Sequence, residues 1–97
     1  MEPPVTISNK AIEEIKHIMG TKKIPQDYGL RVGVKGGACG ASFILGFDKK
    51  TENDQEFIID GVPVYIRKKD TMFIIGKEVD FYDGADQRGF VFIESSE

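Results

Sequence analysis

Among 97 residues the sequence holds one cysteine and one histidine, and its basic side chains are in deficit. One cysteine excludes an intrachain disulfide, fits a reducing compartment, and leaves Cys39 as a free thiol for reactivity, metal binding or packing. With 13 Lys and Arg against 16 Asp and Glu, the net charge of -3 opposes non-specific binding to nucleic acid, which needs a clear cationic excess. No apolar run approaches the ~20 residues that span a bilayer, and Met1-Glu2-Pro3-Pro4 has neither the basic start nor the apolar core of a secretory signal. The expectation is a soluble, cytoplasmic protein with neither nucleic acid nor membrane as partner.

Several kinds of chemistry are absent as well. No Gly-Lys-Ser/Thr follows the glycine-rich stretch, and the next segment reads as a strand, so neither a P-loop nor a dinucleotide fingerprint is present. His17 belongs to a helix far in sequence from Cys39, which gives no local base for a cysteine nucleophile, and no enzyme is expected. The polar run from Asp48 to Asp54 lacks the ordered Asp/Asn positions and terminal Glu of a calcium loop and reads as a solvated turn. Lys22-Lys23, Lys49-Lys50 and Arg67-Lys68-Lys69 read the same way.

What is present is enough for one core, and residues 1–97 form one domain. Ser8 is an N-cap, with Ile7 placed to contact Ile12 as a hydrophobic staple. From there a helix runs to about Met19, with Ala11, Ile12, Ile15, Ile18 and Met19 on one face, His17 on the polar face, and Gly20 suited to the C-cap. Thr21 to Gly29 is a loop, after which the period changes to two. Leu30, Val32 and Val34 alternate towards Gly36-Gly37-Ala38-Cys39-Gly40, and Phe43, Leu45 and Phe47 alternate on the way back, which predicts a hairpin with Cys39 at its tip. Further short strands are predicted at Phe57 to Ile59, Val62 to Arg67, Met72 to Ile75, Val79 to Tyr82 and Gly89 to Ile93. Asp60-Gly61 favours a type I′ turn, and Pro63 requires that its position not donate to a ladder. The fold class is mostly β (α+β): about seven to eight short strands in a β-sandwich or distorted barrel, flanked by one amphipathic helix.

At the hairpin tip, turn amides and Lys35 favour the thiolate of Cys39 and therefore iron-sulfur or thiol chemistry; the alternative is a small cysteine that fills space in a tight connection. One thiolate is too few for a cluster that usually has four ligands.

From about Val5 to Phe92 the chain resembles the HesB-like family, the A-type iron-sulfur cluster carriers and scaffolds. The resemblance rests on Val5-Thr6-Ile7-Ser8 before an Ala-containing helix, on Leu30 through Cys39, on Phe43 to Asp48, on Asp60-Gly61-Val62, and on Gly76 through Val79-Asp80-Phe81 to Gly89-Phe90-Val91-Phe92. It implies a β-rich fold with a flanking helix, self-association into dimers or tetramers, and a non-catalytic part in iron-sulfur protein maturation alongside cluster donor or client proteins. Two departures bear on mechanism. Where the family usually reads Gly-Cys-Ser-Gly-Met, this sequence reads Ala38-Cys39-Gly40-Ala41, and after Phe92 it reads Ile93-Glu94-Ser95-Ser96-Glu97 in place of a Cys-Gly-Cys. Of the family's three cysteine ligands only Cys39 carries over, as the expected ligand for iron or an iron-sulfur cluster, held weakly across a subunit interface. The rival reading is a metal-free HesB-like module that binds a protein partner, with Cys39 structural or redox-reactive.

Overall fold

The computed structural model describes residues 2–37 and 40–95. Its first strand, β1 (Val5–Ile7), leads into the helix α1 (Asn9–Thr21), which is followed by the hairpin strands β2 (Tyr28–Gly37) and β3 (Gly40–Lys49). Then come β4 (Asp54–Ile59), β5 (Val62–Arg67), a 3-10 turn at Lys68–Asp70, a short helix α2 (Thr71–Ile74), β6 (Lys77–Asp83) and β7 (Arg88–Glu94). Among the described residues the strands form two sheets, ordered β1-β6-β7 and β3-β2-β5-β4. One core draws Val5 and Val79 from the first sheet, Leu30, Val32, Val64 and Ile66 from the second, and Ile12 and Ile15 from α1. The mostly β, α+β architecture with a flanking amphipathic helix is the one expected.

Ser8 explains where α1 begins and how it is held. Its hydroxyl oxygen accepts from the Ala11 amide at 3.1 Å, as an N-cap should, and the same hydroxyl donates to the Asp80 carboxylate on β6 at 2.7 Å. That bond, followed by the Phe81 amide, lowers the Asp80 pKa below the ordinary carboxylate range. Ile15 is fully buried, as its place on the apolar face requires, and His17 is exposed. The far end differs from expectation. The helix passes through Gly20 to Thr21, Lys22 closes it by donating to the Ile18 carbonyl, and the positive φ of 56° falls on Lys23.

Met72 to Ile75 does not form a strand. Residues 71–74 make one helical turn, of which Ile74 alone is buried, and Gly76 leaves it at a φ of 80°. A four-residue apolar run has too little length to separate the two periods, so the tertiary setting decides. Asp60 and Gly61 both have positive φ, as a type I′ turn demands. Pro63 is tolerated because β5 begins to pair with β2 only at Leu30↔Val64, so Pro63 precedes that ladder. Parallel pairing at this point also needs Gly29: a Cβ there would lie 2.7 Å from the Pro63 carbonyl and from the Tyr65 ring.

The solvated turn expected at Asp48 to Asp54 ends instead in a buried charge. The Asp54 side chain is fully buried and accepts two 2.7 Å hydrogen bonds from the Arg31 guanidinium in a fork. Arg31 also donates to Asp48 at 3.3 Å and to the Lys49 carbonyl at 2.9 Å, while Asp54 accepts from the Thr51 amide at 2.8 Å. The Arg31 hydrogen bonds outweigh desolvation and hold the Asp54 pKa down to about 2.

Two outcomes are expected. Arg31→Leu leaves Asp54 buried without its counter-ion and should cost about 3–5 kcal/mol in urea unfolding, whereas Arg31→Leu with Asp54→Leu should cost less than the sum of the two single changes. Because the folded pKa of Asp54 lies below its unfolded value of 3.8, its contribution is complete above that value and is lost as pH falls towards about 2. The loss is on the order of 2 kcal/mol. Unfolding free energies measured from pH 6 to 2 should fall less steeply in Asp54→Asn than in the parent.

Candidate functional site

The β2/β3 hairpin is a ladder of ten pairs that runs without a bulge from Tyr28↔Lys49 to Gly37↔Gly40. Alternating Val, Leu and Phe fix its inward face, and glycines concentrate at its outer end, where Gly36 takes a φ of 117° that a side chain would resist. Cys39 lies outside the described residues. The described residues place the ladder's outermost pair, Gly37↔Gly40, on either side of Ala38-Cys39 in the sequence, so the expected hairpin frame is present up to its last described pair.

Three contacts make the frame project in a defined direction. Parallel pairing with β5 covers only Leu30 and Arg31 of β2. Beyond it the buried Asp70 carboxylate accepts from the Val34 amide at 3.3 Å, and Gly33 leaves the space this needs, since a Cβ there would meet that carboxylate at 3.1 Å. On the β3 side, the Phe43 ring stacks on Phe92 of β7 with centroids 4.8 Å apart and planes at 16°. Lys77, paired with Glu94, lies 5.9 Å over the Phe43 ring. From Lys35 outward the hairpin is a two-stranded finger, with Lys35 exposed opposite Ser42.

The sequence reading isolated Lys35 and the glycines but missed this root. Phe43 and Phe92 alternate correctly within their strands, yet nothing local pairs one with the other; Asp70 gave no local signal as a buried acceptor. His17 lies on the polar face of α1 and joins no donor set. Among the described residues no three His, Cys, Asp or Glu side chains gather to hold a metal ion. Nor is any helix there long and apolar enough to cross a membrane. The described part of the finger carries the exposed cation of Lys35.

Comparison with known proteins bears directly on this frame. The family described as Iron-sulphur cluster biosynthesis matches residues 4–95. The mitochondrial Iron-sulfur cluster assembly 1 homolog of Mus musculus is 37% identical over 90 residues, covering 91% of this chain and 68% of the relative. The crystal structure of Escherichia coli SufA, described as involved in biosynthesis of iron-sulfur clusters, superposes with a TM-score of 0.78 at 27% identity, over 96% of this chain and 82% of that one. A crystal structure of IscA with the [2Fe-2S] cluster superposes with a TM-score of 0.71 at 21% identity, over 93% and 81% of the two chains, and shares the fold.

The stacked root makes a prediction of its own. Phe92→Ala removes the ring that backs Phe43 and should destabilise the domain by about 3 kcal/mol or more. Amide hydrogen exchange of residues 34–37 and 41–44 should accelerate more than that of residues 62–66, and uniform acceleration would show that the stack does not hold the finger.

Proposed function

The chain belongs to the iron-sulphur cluster biosynthesis family, and we propose that within it this protein is a carrier or scaffold that takes iron or an iron-sulfur cluster as cargo at Cys39. Support comes from one juxtaposition: the only cysteine of the sequence falls between Gly37 and Gly40, the last pair of a finger whose root is pinned by Asp70 and by the Phe43/Phe92 stack. Its glycine-rich setting and Lys35, four residues before it in the sequence, suit a thiolate, the form in which cysteine ligates iron. The role is transfer without catalysis, in a single domain spanning residues 1–97.

Ligand arithmetic defines the mechanism. A homodimer brings two Cys39 thiolates, half of the four ligands that a [2Fe-2S] cluster usually has. The remaining two come from a second dimer or from outside, as glutathione or the cysteines of a donor or client protein. Cargo held by so few protein ligands exchanges readily, which suits transfer. Cytoplasm is the compartment proposed, where a free thiol stays reduced.

Anaerobic reconstitution with iron, sulfide and glutathione should load at most about one cluster per dimer, and omitting glutathione should sharply lower the yield. Cys39→Ser should abolish loading, since a serine hydroxyl is a hard, protonated and poor ligand. A Cys39→Ser protein that retains as much iron and sulfide as the parent, or a parent that loads none, would favour the metal-free partner-binding module instead.

A further inference from the structure

Residues 67–75 carry two features that the cargo site leaves unused. Arg67, Lys68 and Lys69 are consecutive and exposed, and among the described residues none of their side chains is in an ion pair, which is also true of six other lysines. With Thr51 and Asn53 they line an open depression, and the Lys68 amide donates to the Asn53 carbonyl at 3.0 Å. Directly after them Met72, Phe73 and Ile75 stand 75%, 54% and 62% exposed on a single turn. The other large exposed apolar side chains, such as Ile58, Tyr82 and Val91, are spread over three strands.

Three unpaired cations next to three exposed apolar side chains, on a chain whose net charge is -3, are complementary to an acidic segment with apolar anchors. The patch is also fixed relative to the finger. Asp70, between its two halves, is the residue whose carboxylate holds the Val34 amide, and Val34 precedes Gly37 by three residues, about 10 Å of extended strand. A membrane surface fits less well: α2 has four residues, too few for a helix lying in a bilayer interface, and three cations on a net acidic protein give weak attraction to anionic lipid.

We propose that residues 67–75 are a docking site for a protein partner that presents an acidic segment bearing apolar or aromatic side chains, seated beside the finger that carries Cys39. Resting on the carrier reading, the inference assigns that partner's contact: the cations steer and orient the acidic segment, and Met72, Phe73 and Ile75 take its apolar side chains. Docking here brings a donor or client to the root of the finger and leaves the tip free for cargo.

Fluorescence anisotropy tests this with a labelled twelve-residue probe peptide that alternates Asp and Glu with Leu and Phe, and a control peptide with Lys at the acidic positions. The parent and Cys39→Ser should bind the acidic probe alike, more weakly at high salt, and the control poorly. Arg67→Glu with Lys68→Glu and Lys69→Glu, and separately Phe73→Ser, should each weaken binding by about tenfold or more with the urea midpoint unchanged. Should the triple variant fail to fold, Lys68→Ala and Phe73→Ser carry the test. Equal binding by the variants overturns the proposal, as does a parent that ignores the probe yet sediments with phosphatidylserine vesicles, or a Phe73→Ser that alters self-association alone. A parent that loads a cluster yet ignores the probe defeats this inference only, whereas a parent that binds the probe yet loads no cluster defeats the cargo reading only.

Discussion

The fork between Arg31 and Asp54 is the constraint on which the larger sheet depends. Arg31 belongs to the middle of β2, Asp48 and Lys49 to the end of β3, and Asp54 to the start of β4, so one guanidinium joins both outer strands of the sheet to an inner one. The arrangement succeeds because the buried charges are paired and the polar atoms are satisfied; among the described residues no buried side-chain nitrogen or oxygen lacks a partner. An apolar pair could fill the same volume, but it would leave the 51–54 turn without the acceptor that Thr51 uses. Register is thus set by hydrogen-bond geometry as well as by alternation of side chains.

With the sheet so fixed, the hairpin can run past its neighbours. An inner strand is paired on both sides, yet β2 loses its β5 partner after Arg31, and the substitutes are one carboxylate, from Asp70, and one aromatic stack reaching to the other sheet. Among the described residues such a finger is held at its root by contacts from outside its own sheet.

What the sequence disclosed and what it hid follow one physical rule. Ser8, the α1 face, the alternation of β2 and β3, and Asp60-Gly61 were legible because their signals lie within a few residues. Asp54 was misread because an Asp- and Asn-rich turn looks solvated until a partner 23 residues away removes it from water. Met72 to Ile75 was misread because four apolar residues suit either period, and its exposure depends on what β5 and β6 leave uncovered. The Phe43/Phe92 stack spans the two sheets and has no local trace at all.

The same distinction orders the functional argument. The proposed cargo chemistry is local, needing a thiol in a glycine-rich stretch with a cation close in sequence, and residues 33–43 contain these. Delivery is not local, because a carrier must recognise whatever receives the cargo, and recognition is assembled from elements brought together only by folding. Asp70 stands where the two meet: the turn that ends β5 places its carboxylate on the Val34 amide of β2, and the cations precede it while the apolar side chains follow. Under the proposed roles, a residue that ties the 67–75 turn to the β2/β3 hairpin makes the distance between docking and transfer a property of the fold rather than of a flexible linker.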